Sequence, residues 1–208
     1  MYIPEHFRVR DQASAVAFMR ANPFAILISN TAEGPFATHV PVVIRENEDR
    51  ITLRCHVAKA NPHWRFIEQQ PLCLMIFHGP HAYISPSHYN TSENVPTWNY
   101  GAVHTYGRAR VYSEHADLLN ILHDLMPTFE AAYQRQWESL TEAYQARMLG
   151  HIVGFEIAVE KLEAKFKLSQ NRTPDEQQNI IDALCPATDS AVSGIARLMR
   201  DQGLGKKE

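Results

Sequence analysis

Long apolar runs are missing from this chain. Nowhere do eighteen apolar residues follow one another, so no stretch is long enough to cross a bilayer as a helix. The opening MYIPEHFRVRD carries charges where a targeting segment would have an apolar core, and the cytoplasm is the expected compartment. Cysteine is scarce. Cys55, Cys73 and Cys185 are odd in number, widely spaced and set beside apolar neighbours, which suits small core residues in a reducing compartment and not a disulfide framework. Neither sign of charge dominates: 20 Lys and Arg against 23 Asp and Glu give a formal net charge of −3. That leaves no general pull toward nucleic acid or anionic lipid. There is no C2H2 spacing, no RNP-type aromatic motif and no clear helix-turn-helix. No G-x-S-x-G elbow, no H-x-x-x-H pair, no repeat and no low-complexity linker is found either. Direct DNA binding, serine hydrolysis and metal catalysis therefore start without support.

What is present is an ordinary globular composition. The 208 residues are 45% hydrophobic and 21% charged, enough for one large domain with a core that needs no staples. Asp11 can cap a short helix over 11–21 that Asn22-Pro23 stops. Phe24–Ser29, Phe36–Ile44 and Arg50–Val57 read as three strands, the last with alternating Ile51, Leu53 and Cys55. RENED, 45–49, reads as the hairpin loop between the second and third. Asn61-Pro62 opens a helix over 61–69 with Trp64 and Ile67 on one face. Leu72–Phe77, His81–Ser85 and Asn99–Tyr112 follow as strands. Leu118, Ile121, Leu122 and Leu125 have helical spacing up to Pro127. A second helical stretch covers roughly 128–149, with Ser139-x-x-Glu142 as its capping box. Ile152–Lys167 reads as a long strand, with a helical reading open after 160. Thr173-Pro-Asp-Glu176 opens a pair of final helices. Strands and helices in separate blocks predict an α+β fold: a six-stranded antiparallel barrel, residues 1–172, with rim helices and a C-terminal helical hairpin over 173–208.

Two regions hold the chemistry. If 36–44 and 50–57 pair, Thr38, His39, His56 and Lys59 meet at one rim beside the amino end of the 61–69 helix, a candidate anion site. The bland reading is a strand threonine and a solvated lysine. The second region is His78–Gly107, which holds four of the eight tyrosines, Trp98, four histidines and prolines at 80, 86 and 96. The prolines should punctuate strands there. Rigid aromatics at that density suit a wall of a small-molecule site, or a loop stapled onto a core. The histidine spacings are not those of a metal site.

Several long motifs carry a resemblance. MYIPEHF, ATHVP, HVAKANPHW, FHGPHAYISPSHY, VPTWNYGAVHTYGR, IVGFEI and KFKLSQNR run from residue 1 to about 172. Together they resemble the PaiB family, described as FMN-binding negative transcriptional regulators related to the flavin-binding split barrels. The resemblance implies a homodimer with FMN in the cleft between subunits. It places the phosphate on Lys59 and Thr38, with His39, Val40, Pro41, His56, Asn61 and Trp64 around it. It places the isoalloxazine or the facing subunit near His81, Tyr83, Trp98, Asn99 and Tyr100, with Lys167, Gln170 and Asn171 as a polar strip. Two functional classes stay open: a flavin-responsive regulator of transcription, and an FMN-dependent oxidoreductase or flavin reductase with a small-molecule substrate. Haem or another flat ligand in the same cleft is a third.

Overall fold

Alternation along the strands decides which residues line the core. In β4, Arg50–Ala58, the side chains of Ile51, Leu53, Cys55 and Val57 are buried, while Thr52, Arg54 and His56 leave the opposite face. A computed structural model describes residues 1–47 and 50–206 of the chain. It contains one sheet of seven strands: β1 Phe24–Thr31, β2 Gly34–Pro41, β3 Val43–Asn47, β4, β5 Leu72–Ile84, β6 Thr97–Tyr112 and β7 Ile152–Lys167. Their order is β2-β1-β5-β6-β7-β4-β3. β1 pairs antiparallel with both β2 and β5, and β4 with both β3 and β7.

The edge strands of that order, β2 and β3, are consecutive in the chain and separated only by Val42, which is fully buried. A sheet whose two edges are joined through one residue has to curl until they meet there. This corrects the expected strand over 36–44 and its pairing. Up to Pro41 the segment pairs with β1, through Thr38 opposite Leu27; from Val43 it pairs with β4, through Val43 opposite Arg54. One expected strand became two, and the expected strands 72–77 and 81–85 became one, so the sheet has seven strands where a six-stranded barrel was expected. Arg45–Asn47 of RENED belong to β3, and the rest of that expected loop, Glu48 and Asp49, lies outside the described residues.

Other expectations shift for local reasons. β5 is a single strand through Pro80, which lies beyond the Cys73–Ile76 segment that pairs with β1 and so costs that ladder no donor. α1, Gln12–Ala21, starts as expected with Asp11 accepting from the amides of Ala13 and Ser14. α2, His63–Gln69, buries His63 and Ile67, four apart, and leaves Trp64 off that face. α3, His115–Ser139, continues through Pro127, and its break falls at Glu130, whose φ of −155° and ψ of 86° are not helical. Thr141, not Ser139, caps α4, Glu142–Leu149, by accepting from the amide of Tyr144. β7 is extended throughout, which removes the helical alternative after 160. α5, Pro174–Leu184, has the expected capping box, and α6, Ser190–Asp201, ends the described helices.

The chain divides into two compact units. One is Met19–Phe77 with His104–Leu162; the other is Met1–Phe18, His78–Val103 and Glu163–Glu208. In the first, Leu27, Leu53, Cys55, Met75, Phe155 and Ile157 form the buried side of the sheet. On its other side α3 packs by Leu118, Ile121 and Leu125. Asp124 of α3 accepts from both Arg45 and Arg54, and Arg54 also reaches Glu156, which ties the helix to β3, β4 and β7. In the second unit, Phe166 of β7 and Leu168 just beyond its end are buried with Ile180 and Ile181 of α5 and Ile195 and Met199 of α6.

Candidate functional site

Strand alternation sorts the expected rim residues before any contact is considered. Thr38 sits opposite Leu27, so it shares the core-facing side of β1 and β2; His39 sits opposite Ile26 and faces outward. The His39 ring stacks on Phe24, with centroids 5.9 Å apart, and does not join Thr38. Val40 is a core residue, and Pro41 closes β2 opposite Phe24. His56 shares the outward face of β4 with Arg54, opposite Gly154. Burial lowers its pKa, and its Nδ1 finds no hydrogen-bond partner among the described residues. The expected pairing would have brought Thr38, His39, His56 and Lys59 together; the structure separates the two histidines from Thr38.

What the structure does gather around Thr38 is a chain of hydrogen bonds that runs from part-buried at Asn61 and Thr38 to buried at Ser29. The amide Nδ2 of Asn61 donates to Thr38 Oγ1 at 3.2 Å, and Asn61 Oδ1 accepts from the backbone amide of His63 at 3.0 Å. His63 Nδ1 lies 2.8 Å from Thr38 Oγ1, and its Nε2 lies 3.0 Å from Ser29 Oγ. Phe36 sits edge-on to His63 and to Phe66. His63 is wholly buried, and desolvation lowers its pKa to about 4, so the ring is neutral. The first amide of α2 is therefore satisfied by Asn61 and is not a free donor.

Lys59 stands two residues before Asn61. Its backbone is pinned on both sides: its amide donates to the His151 carbonyl at 2.7 Å, and its carbonyl accepts the Trp64 indole N–H at 3.0 Å. Arg65 lies over the Trp64 ring at 4.9 Å. The Lys59 side chain is exposed and makes no ion pair among the described residues. Thr38 and Asn61 offer a fixed hydroxyl and a fixed amide, and Lys59, two residues before Asn61, offers an ammonium with no carboxylate partner among the described residues. That donor set suits an anion.

The other expected residues belong to the second unit. Trp98 is 53% exposed and Tyr83 51% exposed, in T-shaped contact at 6.1 Å, with His81 6.2 Å from Trp98 and 4.9 Å from His78. Large aromatics are seldom left this open unless something covers them. Asn99, by contrast, is fully buried and exchanges hydrogen bonds with Ser169, at 3.0 and 3.2 Å. Its role is to hold Ser169, which adopts a left-handed φ of 63°. Gln170 turns back on its own strand end, accepting from the Leu168 amide and donating to the Phe166 carbonyl. Tyr100 covers Lys165, and Lys167 donates to the Thr97 hydroxyl.

Sequence reasoning missed His63 and Ser29, and it missed Lys165 and Tyr2 in the second unit. One signal was available: Ser29 is a lone hydroxyl at the end of the apolar run FAILIS, and a buried hydroxyl demands a partner.

Residues 1–161 match the model of the family described as "Putative FMN-binding domain". The class so defined is a flavin-binding split-barrel protein. Within it, the chain belongs to the PaiB family. It is 37% identical over 204 residues, 97% of its length, to "Protease synthase and sporulation protein PAI 2" of Bacillus subtilis (strain 168), 98% of which is covered. It is also 31% identical over 149 residues, 60% of this chain and 88% of the other, to an uncharacterized protein of Saccharomyces cerevisiae. Among solved structures it is similar to the flavocytochrome Anf3 from Azotobacter vinelandii, with TM-score 0.60, 17% identity, and 79% of this chain and 72% of that one covered. The FAD and heme binding protein from Mycobacterium smegmatis matches with TM-score 0.60, 12% identity, and 77% and 73% covered. At those identities the likeness is one of fold.

Proposed function

We propose that this protein is a homodimer that binds FMN, with the flavin at a cleft between subunits, and acts as a PaiB-type negative regulator in the cytoplasm. The observation that carries the flavin assignment is the Thr38 hydroxyl, fixed by Asn61 and His63, with Asn61 two residues after Lys59, whose ammonium no carboxylate claims among the described residues. A phosphate monoester is an acceptor of matching charge for that set. His39 and His56 leave the outward faces of their strands and lie outside the phosphate set in this reading. Trp98, Tyr83 and His81 offer flat surfaces for the isoalloxazine or the facing subunit, and Tyr100 and Lys167 stand with them in the same unit. Bound flavin supplies redox chemistry, and the protein supplies binding, orientation and shielding from water.

The formal charge of −3 speaks against a salt-driven grip on DNA, so the regulatory effect is indirect in this reading. A second reading, an FMN-dependent oxidoreductase or flavin reductase, is favoured by the open Trp98–Tyr83 surface, which could seat a flat reactant. The test begins with the visible spectrum of fresh protein and a fluorescence titration with FMN. Colourless protein that leaves FMN fluorescence unchanged rejects both readings; a Soret band would mark haem instead. Anaerobic reduction of the bound flavin by NAD(P)H favours the oxidoreductase. Flavin that stays oxidised, with no DNA affinity at low salt, favours the indirect regulator.

A further inference from the structure

A second pair of cations lies in the unit formed by Met1–Phe18, His78–Val103 and Glu163–Glu208, apart from the phosphate set above. Lys165 and Lys167 are two residues apart in β7, so their side chains leave the same face, with Cα atoms about 6.6 Å apart at ordinary strand rise. Ala164 and Phe166 take the other face, where Phe166 packs on Phe18 at 5.0 Å.

Lys165 is only 7% exposed, unusual for a lysine without an acidic partner. Its ammonium donates to the Tyr2 carbonyl at 3.3 Å and lies 5.1 Å from the Tyr100 ring and 5.7 Å from the Tyr2 ring. Lys167 donates to the Thr97 hydroxyl and lies 6.0 Å from Phe7. An ammonium has three donors, and each of these engages one. Among the described residues neither lysine forms an ion pair with a carboxylate. Glu163, the next residue along the same face, is held by the Met1 α-amino group. Desolvation, and then the neighbouring Lys165 charge, lower the pKa of Lys167. Two like charges, partly removed from water and short of acceptors, are destabilising as they stand. The tyrosine rings account for Lys165 as a cation–π contact, but they do not account for placing Lys167 beside it.

We propose that Lys165 and Lys167, with the Thr97 hydroxyl, form a binding site for a phosphate or carboxylate group, walled by Tyr2 and Tyr100. A dianionic phosphate monoester matches the two charges, and its oxygens can accept from both ammoniums at once. Two sources share this chemistry: the phosphate of a bound flavin, and the anionic group of a second small molecule.

Calorimetric titration of the full-length protein with inorganic phosphate at low ionic strength tests the site, using wild type, Lys165→Met, Lys167→Met and Thr97→Val. Parallel titrations use FMN and riboflavin. The site predicts saturable phosphate binding that each lysine variant weakens about tenfold or more, the effect of losing a charge-assisted hydrogen bond. If FMN affinity falls with it while riboflavin affinity holds, the anion is the flavin's own phosphate. If FMN affinity is unchanged, the anion belongs to a second ligand. Phosphate binding that the variants abolish, in a protein that binds no flavin, keeps this site and removes the flavin reading. Variants that match wild type for phosphate, FMN and riboflavin overturn the proposal, as does a wild type that binds none of them. Should Lys165→Met fail to fold, Lys167→Met and Thr97→Val decide.

Discussion

His63 Nδ1 and Thr38 Oγ1 lie 2.8 Å apart, and the same imidazole reaches Ser29 Oγ with its other nitrogen at 3.0 Å. A neutral ring donates from one nitrogen and accepts at the other, so one hydroxyl must donate to it and the other must accept. Thr38 also accepts from Asn61, which restricts where its own proton can point. The orientation of that hydroxyl is thus set by the protein before any ligand arrives.

This neutral ring makes stability depend on pH. The folded pKa of His63 is about 4 against an ordinary 6.5, so between those values the unfolded chain binds a proton that the folded one does not. The contribution of this group is fully present above pH 6.5 and falls as pH drops toward 4, by about 3 kcal/mol. Urea unfolding of wild type and His63→Gln at pH 7 and pH 4.5 should show a smaller pH difference in the variant. Equal differences would mean that His63 is not the group responsible.

Lys59→Ala should weaken FMN binding by about 1.5–3 kcal/mol while leaving riboflavin affinity nearly unchanged, because only the phosphate contact is lost. Fluorescence titration with both flavins measures it. An equal loss for riboflavin would move the phosphate elsewhere.

Two glycines differ in what surrounds them, and the difference is measurable. A Cβ on Gly107 would lie on the carbonyl oxygen of Ala158, which is backbone and cannot turn away. A Cβ on Gly154 would meet Ile121 Cδ1 at 2.5 Å and Leu118 Cδ2 at 3.2 Å, both side-chain ends that can shift. Gly154→Ala should cost about 1–3 kcal/mol by overpacking, and Gly107→Ala more. Thermal denaturation of the two variants gives the order directly; the reverse order refutes it.

The thiols should divide by burial. Cys55 and Cys73 are buried in strands, where desolvation pushes Cys73 up to about 12 and Cys55 higher still, while Cys185 is exposed. A thiol reagent at neutral pH should therefore titrate one cysteine quickly in the native protein and three after unfolding. Rapid reaction of a second thiol in native protein would show that the barrel opens locally.

Local signals were legible, and partner choice was not. The alternation of Ile51, Leu53 and Cys55 is a two-residue period that a strand must bury on one side, and the Thr173–Glu176 box makes both of its reciprocal bonds. The change of partner at Val42 is marked only by Pro41, the last residue of β2, and the β-prone residues on either side of it read as one strand. The same holds for the site. Thr38, Lys59, Asn61 and His63 all stood in motifs, but the role of His63 shows only when α2 lies against β1 and β2. Tyr2 meets Lys165 only because the amino-terminal segment runs along β7, through the bridge of Arg8 to Lys165.

The pairing of β4 with β7 joins residues about a hundred positions apart, Cys55 with Phe155 among them. On the ribosome, the side of β4 that β7 will cover therefore stays unpaired until nearly three-quarters of the chain has been made. Loop closure over that span is slow, and an open apolar strand edge can capture a neighbouring chain meanwhile. Production at low temperature or with chaperone support should raise the folded yield more than any change at the flavin site.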